Sequence, residues 1–177
     1  MARRTTALVT GAVSALLVTA LAGCAATAPA AEDEPLVTVE SAGAWMDAYL
    51  DAWENKDADA VMALFSEDAV YQSIPGVEAE TFVGREAIGA YWEMITAGQS
   101  DITTQRGTPL VNGDQASIEI WVTFASPYLN PEGDNMVTLL EANILTFDED
   151  GLVTENAEYW NIVTGVVEPP AGWGVAD

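Results

Sequence analysis

Apolar residues recur at helical spacing in three stretches of the chain, and these stretches predict three helices. In residues 41–55 the large apolar side chains lie one, three or four positions apart, which places them on one helical face. A short second helix is predicted at residues 58–65, where Asp57 can cap the first turn. A third is predicted at Arg85–Thr96, directly after Gly84. The side chains expected to face the core are Trp45, Met46, Tyr49, Leu50, Trp53, Val61, Met62, Leu64, Phe65, Ile88, Tyr91, Trp92 and Ile95.

The rest of the domain alternates apolar and polar residues with a period of two, which predicts strands. A short strand is predicted at residues 69–74, ending at Pro75-Gly76. Because the helices come before a run of consecutive strands, the order indicates the α+β fold class. The later strands are predicted at residues 102–111, 116–125, 136–147 and 152–163, with turns at residues 112–114 and 148–151.

Composition excludes several kinds of site. The 177 residues are 50% hydrophobic, which is enough apolar material for one sizeable core, and the formal net charge is −23. So acidic a chain with 5 Lys and Arg argues against a nucleic-acid partner. Without His, and with one Cys, we expect no metal site, no cofactor and no His-based nucleophile. Proton transfer would have to use Asp, Glu, Tyr or Lys.

The N-terminus predicts an export signal that ends in a lipid anchor. Arg3 and Arg4 precede an apolar run at residues 7–22, which is too short for a convincing membrane span. The run ends in Leu21-Ala22-Gly23-Cys24, which resembles a bacterial lipobox. That resemblance implies cleavage before Cys24, attachment to its thiol of a diacylglycerol with palmitate-type acyl chains, and an extracytoplasmic protein anchored to the bacterial cell membrane. In the alternative interpretation, Cys24 is an ordinary small residue near a plain export cleavage site.

Composition also divides the chain into four parts. Residues 1–23 are the predicted lipoprotein signal peptide, and residues 24–36, rich in Ala, Pro and acids, are a flexible tether. Residues 37–167 form the single predicted domain. Pro169-Pro170 interrupts regular structure, so residues 168–177 are expected to be a loose tail.

Five stretches of the domain carry a family resemblance. They are Ala48-Tyr49-Leu50-Asp51-Ala52-Trp53 through Asp57, Leu64-Phe65-Ser66-Glu67-Asp68-Ala69-Val70-Tyr71, Gly84-Arg85-Glu86-Ala87-Ile88, Thr146-Phe147-Asp148-Glu149-Asp150-Gly151 and Glu158-Tyr159-Trp160-Asn161. In order and spacing they resemble the nuclear transport factor 2-like superfamily, which includes ketosteroid isomerase and the SnoaL-like polyketide cyclases. The resemblance implies a cone-shaped, curved antiparallel sheet wrapped around three N-terminal helices, with a central pocket.

The resemblance also implies candidate site residues. In register with ketosteroid isomerase, Tyr49 falls on the oxyanion-hole tyrosine and Asn143 on the oxyanion-hole aspartic acid, and both keep a hydrogen-bond donor. Ser73 falls on the proton-shuttling aspartate, so the family's base is missing there. Other relatives use a pocket His, or an aspartate where this chain has Asn161. A different carboxylate would therefore have to act as the base.

Strand alternation extends the predicted site. If Asn143 faces the cone, Glu141 lies on the same face of its strand. By the resemblance, the pocket also contains Tyr71, Ser73, Trp92, Glu119, Trp121, Glu158 and Trp160. The opposite sheet face would then carry Ile118, Ile120, Val122, Phe124, Leu140, Ala142 and Ile144. So apolar a face should be covered, and we expect a homodimer through it. Alternatively, a bulge turns the glutamates to solvent and the Ile-rich face becomes the core.

Three functions fit this pocket. In the leading interpretation, the domain binds a cationic or polar small molecule between carboxylates and indole faces. In the first alternative, Glu141 is the general base of an isomerase, cyclase or dehydratase, and Tyr49 and Asn143 donate to the developing oxyanion. In the second, the domain is a non-catalytic interaction module that dimerises through the outer sheet face and has a collapsed pocket.

Overall fold

The computed structural model describes residues 36–174. The predictions for residues 1–23, for Cys24 and for the tether up to residue 35 concern residues outside this range. Within it, no helix is both long enough and apolar enough to cross a membrane.

The described chain confirms the α+β fold class. Its three α-helices are α1 (Val39–Asn55), α2 (Ala58–Ala63) and α3 (Arg85–Thr96), and a 3₁₀ helix spans Glu78–Glu80. Its seven strands are β1 (Phe65–Gln72), β2 (Thr81–Val83), β3 (Ser100–Arg106), β4 (Leu110–Asn112), β5 (Gln115–Ala125), β6 (Met136–Phe147) and β7 (Val153–Thr164). The 3₁₀ helix and β2 were not predicted, because three residues are too few to show a period.

All seven strands form one curved sheet in the order β2-β1-β7-β6-β5-β3, with β4 also paired to β5. One detail differs from the expected arrangement: the sheet is not wholly antiparallel, because β1 and β7 pair in parallel. As the predicted strand at residues 69–74 implied, strand structure precedes the third helix, since α3 follows β1 and β2 in the chain. The parallel pair brings the first strand beside the last one.

Side-chain caps fix where the first two helices begin. Thr38 and Ser41 form a reciprocal capping box, in which each side chain accepts a hydrogen bond from the backbone N–H of the other. As predicted, Asp57 caps α2, accepting from the backbone N–H of Ala60 at 2.9 Å. Between the helices, Lys56 takes a left-handed backbone conformation (φ 55°) that ends α1.

An aromatic cluster connects the helices to the concave side of the sheet. The ring of Trp45 stacks on Tyr49 at 5.1 Å and meets Phe65 of β1 edge-on at 5.6 Å. On the other side, Trp92 of α3 meets Tyr49 edge-on at 5.0 Å and Trp53 at 5.1 Å. Such offset and perpendicular contacts favour one packing arrangement. The Tyr49 ring is thereby held under the sheet.

Strand register shows which side chains face this interior. On β6 and β7 the expected faces are found: Glu141 lies opposite Trp160, Asn143 lies opposite Glu158, and side chains directly opposite each other share a face.

On β5 the expected faces are reversed. Ile118 lies opposite Asn143 and Ile120 lies opposite Glu141, so the Ile-rich face of β5 belongs to the core. Glu119 and Trp121 consequently lie on the outer sheet face, where the Trp121 Nε1–H donates to the Glu119 carboxylate at 2.8 Å. Both faces of β5 carry apolar side chains, and alternation separates the faces without saying which one is inside.

The outer side chain of Trp121 is covered by the C-terminal segment. Trp173 packs against it with the ring centroids 5.9 Å apart, and the Thr108 hydroxyl donates to the Gly174 carbonyl at 2.8 Å. Residues 168–174, which we expected to be loose, therefore make specific contacts with the sheet.

Candidate active site

Two tyrosines and an asparagine surround one oxygen of a buried glutamate. Tyr49 Oη donates to Glu158 Oε1 at 2.9 Å, and Tyr71 Oη donates to the same oxygen. Asn156 Nδ2 adds a third donor at 3.2 Å, and the two tyrosine hydroxyls lie 3.1 Å apart. Glu158 is 5% exposed. Three donors on one buried oxygen stabilise a carboxylate there.

A second buried carboxyl, Glu141, lies beside Glu158. It is 3% exposed, and its Oε1 accepts a hydrogen bond from Asn143 Nδ2 at 2.7 Å. The two carboxyl groups are close enough to hydrogen-bond each other when one of them carries a proton. The concave face thus holds a carboxyl pair, with Tyr49, Tyr71, Asn143 and Asn156 as its hydrogen-bond partners.

The environment gives the two carboxyl groups different proton affinities. Burial is the largest effect on Glu158 and raises its pKa to about 7. The hydrogen bonds from Tyr71, Tyr49 and Asn156 favour the anion and lower the pKa in part. Burial, followed by the negative charge of Glu158, holds the pKa of Glu141 well above its ordinary value. Near neutral pH the two raised pKa values therefore favour a pair that holds one shared proton.

The tyrosines stay protonated as donors. Burial, followed by the charge of Glu158, raises the pKa of Tyr49 and of Tyr71 well above the ordinary tyrosine value. Neither hydroxyl is then a proton acceptor near neutral pH. Both instead hold the Glu158 carboxylate in place.

A cavity of about 650 Å³ opens over the pair, a size typical of small-molecule sites. Its floor includes Tyr71, Glu141 and Glu158. Its walls and mouth are mainly aromatic and aliphatic: Trp53, Glu80, Tyr91, Trp92, Met94, Ile95, Gly98, Gln99, Phe124, Ser126, Tyr128, Leu129, Leu139, Trp160 and Ile162. A central pocket is thus present, as the fold predicts.

The predicted site residues divide into three groups. Tyr71, Trp92, Glu141, Glu158 and Trp160 line the cavity. A second group, Tyr49 and Asn143, lies behind the glutamates rather than on the cavity wall, bonded to Glu158 and Glu141. The third group, Glu119 and Trp121, is absent from the cavity because β5 turns them outward.

Ser73, the remaining predicted residue, is buried beside the mouth of the cavity. Its hydroxyl donates to the Glu80 carboxylate at 2.8 Å, and its carbonyl accepts from the Trp160 Nε1–H at 2.7 Å. Glu80 was not predicted as a site residue, because the 3₁₀ helix that carries it has no recognisable pattern. Tyr91 was expected in the core and instead lines the cavity.

The polar groups of this site are carboxyls, hydroxyls and amides. Within residues 36–174 no group of three or more His, Cys, Asp or Glu side chains could hold a metal ion. Among the same residues, the Trp92 Nε1–H has no hydrogen-bond acceptor, although the ring meets the rings of Tyr49 and Trp53 edge-on.

Many solved structures share this fold, and two of them are as follows. One is SalBIII, described as an epoxide hydrolase/cyclase-like enzyme with a role in pyran ring formation in the polyether salinomycin. It aligns with a TM-score of 0.57 and 17% sequence identity, and the alignment covers 70% of this chain and 95% of SalBIII. The other is a hypothetical protein with a ketosteroid isomerase-like fold from Catenulispora acidiphila, solved in complex with trimethylamine. It aligns with a TM-score of 0.55 and 20% sequence identity, and the alignment covers 65% of this chain and 83% of that protein.

The sequence itself carries the family assignment. No curated protein matches the chain. The model of the SnoaL-like domain, however, matches residues 46–156, which run from α1 into β7 and include most of the residues around the carboxyl pair. The chain therefore belongs to the SnoaL-like domain family, within the nuclear transport factor 2-like superfamily.

Proposed function

We propose that the domain is a general acid–base enzyme of the isomerase, cyclase or dehydratase kind, acting on a small organic molecule bound in the cavity. The observation that carries this proposal is the buried pair of Glu141 and Glu158, whose proton affinities differ, on the floor of an aromatic cavity. An acid and a base held side by side, away from bulk water, suit proton transfer near neutral pH.

Glu158 is the base in this proposal. Its carboxylate is held by Tyr49, Tyr71 and Asn156 on one oxygen, which leaves Oε2 for a substrate proton. A pKa of about 7 places it near the optimum for a general base at physiological pH.

Glu141 is the acid. It carries the shared proton and lines the cavity, so it can protonate a leaving oxygen or hydrogen-bond to a developing oxyanion. This differs from the alternative drawn from the sequence, in which Glu141 was the base and Glu158 was a ligand-binding residue. Tyr49 and Asn143 become positioning residues, because each is bonded to a glutamate rather than directed at the cavity.

The proton count balances over one isomerisation cycle. Glu158 accepts one proton from a C–H or O–H bond of the substrate, while Glu141 gives one proton to the atom that gains negative charge. Glu158 is then the acid and Glu141 the carboxylate. Transfer of the proton through the hydrogen bond between them restores the starting state.

The proposal is tested with a probe that requires only a base in an apolar cavity. In 5-nitrobenzisoxazole, removal of the ring C–H proton breaks the N–O bond and releases a coloured cyanophenolate. We expect the protein to exceed the rate of acetate at equal pH, and we expect Glu158→Gln to lower kcat/KM by about 10²-fold or more. Glu119→Gln, on the outer sheet face, is the matched control and should keep the wild-type rate.

Two results would contradict the enzyme proposal. One is a wild-type rate no higher than that of acetate, and the other is an undiminished rate for Glu158→Gln. Saturable binding of the probe without turnover would favour the leading interpretation from the sequence, a small-molecule binding protein. A collapsed interaction module does not fit the open cavity.

We further propose that the protein acts outside the cytoplasm, held to the cell membrane by a lipid on Cys24. The lipobox-like Leu21-Ala22-Gly23-Cys24 supports this. Metabolic labelling with radioactive palmitate should label the wild-type protein in the membrane fraction and not Cys24→Ser. Equal labelling of both would exclude lipidation at Cys24.

We also propose a homodimer through the outer sheet face. The isoleucines of β5 that were expected on this face lie in the core, so the face consists of other residues. On that face Leu110 is 73% exposed and Tyr159 is 59% exposed, and half-buried Leu140 lies with them in a shallow groove of about 560 Å³. Sedimentation equilibrium should give twice the monomer mass, and Leu110→Glu should shift the protein toward monomer by placing a charge in an apolar contact. A monomeric wild type would refute this part.

A further inference from the structure

The mouth of the cavity holds a carboxylate that the proposed chemistry does not use. Glu80 lies on the exposed 3₁₀ helix and lines the cavity. It is oriented by Ser73, which is 2% exposed and donates to Glu80 Oε2 at 2.8 Å. Because the backbone of Ser73 also accepts from the Trp160 indole at 2.7 Å, the carboxylate and the indole are held at one place.

Aromatic rings complete this mouth cluster, which consists of Glu80, Tyr91 and Trp160. Tyr91 is close enough to the carboxylate for the charge of Glu80 to act on its hydroxyl, and its ring stacks on Phe82 at 4.2 Å. Tyr91 and Trp160 both line the cavity. Aromatic rings and a carboxylate around one opening are an arrangement that attracts organic cations.

The cations of the domain do not neutralise the mouth cluster. Lys56 donates to the Gln99 carbonyl, Arg85 to the Phe65 carbonyl at 2.5 Å, and Arg106 to Asp47 at 2.6 Å. Among the described residues, no Lys or Arg lines the cavity. A chain with a net charge of −23 also attracts cations and repels anions over a longer range.

Glu80 is the better partner for a cation than Glu158. Glu158 already receives three hydrogen bonds and shares a proton with Glu141, so its charge is largely compensated. In contrast, the side chain of Glu80 is only half-buried, and its one hydrogen-bond donor among the described side chains is Ser73. We propose that the mouth cluster is an organic-cation subsite, so that the substrate carries a tertiary or quaternary ammonium at the end remote from its reacting group. The subsite proposal rests on the proposed function in one respect only: it assumes that the reacting group of the substrate lies at the carboxyl pair.

The test compares two phenols of the same shape, of which one carries a positive charge and the other is neutral. In 4-(trimethylammonio)phenol a positive nitrogen replaces the quaternary carbon of 4-tert-butylphenol. Binding of each to the purified protein is measured by titration calorimetry at physiological ionic strength. We expect the ammonium compound to bind about tenfold more tightly than its neutral partner. Because no turnover is needed, the result is independent of whether the carboxyl pair is catalytic.

Variants assign the preference to a residue. Glu80→Gln should reduce the charge preference to about threefold or less, while Glu78→Gln, an exposed glutamate on the same 3₁₀ helix, should leave it unchanged. Three results would each overturn the subsite. The first is equal binding of the two phenols, and the second is the absence of saturable binding of the ammonium compound. The third is a charge preference that is lost in Glu158→Gln but kept in Glu80→Gln. If the charge preference follows Glu80 while Glu158→Gln keeps full activity on 5-nitrobenzisoxazole, the subsite stands and the catalytic proposal fails.

Discussion

Raising the pH from about 5.5 to about 7.5 should destabilise the folded domain through Glu158. The pKa of this carboxyl rises from an ordinary 4.5 to about 7 on folding, so the folded state binds its proton more tightly than the unfolded state. The resulting stabilisation is fully present below pH 4.5 and is lost as the pH rises toward and through 7. For these two pKa values, the free energy of unfolding falls by about 2 kcal/mol over the interval.

Two features make this slope, the change in the free energy of unfolding with pH, measurable. The chain has no His, so no imidazole titrates in the same interval. Glu141, whose pKa is also raised by burial, adds a change of the same sign. We expect Glu158→Gln to reduce the slope and the double variant with Glu141→Gln to be nearly independent of pH. Glu149→Gln, an exposed residue in the turn before β7, is the control and should keep the wild-type slope.

Urea unfolding followed by tryptophan fluorescence at a series of pH values gives the free energies directly. A wild-type stability that is constant or increases between about pH 5.5 and about pH 7.5 would refute the argument. So would a double variant that keeps the full slope, because the proton would then be bound elsewhere.

Three further predictions follow from single contacts. Burial raises the pKa of Glu158, and the hydrogen bond from Tyr71 lowers it. Tyr71→Phe should therefore move the rising limb of the pH–rate profile, measured with 5-nitrobenzisoxazole, above about pH 7. An unchanged midpoint would argue against that hydrogen bond. Gly84 has φ 87°, a region that disfavours other residues, so Gly84→Ala should cost about 1–3 kcal/mol in urea unfolding. Phe65 is fully buried among aromatic rings, and Phe65→Ala should cost about 3–5 kcal/mol by the same measurement; a loss under 1 kcal/mol would mean that the cluster is not tightly packed.

Periodicity predicted the longest elements best. Arg85–Thr96 and Met136–Phe147 have the predicted bounds, because each has a full apolar face and ends at a clear signal. Around Phe65 the prediction was wrong: this residue begins β1 rather than ending the second helix, since Leu64 ends α2 and the chain extends at once. A six-residue helix is too short for its last turn to be read from the pattern.

For the site, the alternation of residues correctly predicted which side chains of β6 and β7 face the interior, but not which side chains of β5 do. Glu141 shares one face of β6 with Asn143, Glu158 lies opposite Asn143 on β7, and both glutamates lie inside. Glu119 was expected with them and lies outside, because Ile120 rather than Glu119 is opposite Glu141. One residue of register decides the face of a whole strand, and a single sequence does not contain that register.

The hydrogen-bond network around the carboxyl pair could not be predicted at all. Tyr49, Tyr71 and Glu158 lie on three elements far apart in the chain, and only the folded sheet shows that both hydroxyls reach the same oxygen. For the same reason the sequence interpretation named Glu141 as the candidate base and Glu158 only as a ligand-binding residue. Their relative proton affinities depend on these three-dimensional neighbours.

The parallel contact between β1 and β7 has a consequence for how the protein matures. Tyr71 and Glu158 are separated by 87 positions, and Tyr49 and Glu158 by 109, so the carboxyl pair is assembled only when the final strand docks. Closing so long a loop is slow and entropically costly. A nascent chain, or a chain truncated before β7, would carry the tyrosines without their carboxylate partner, so the carboxyl pair would form only after β7 has been synthesised.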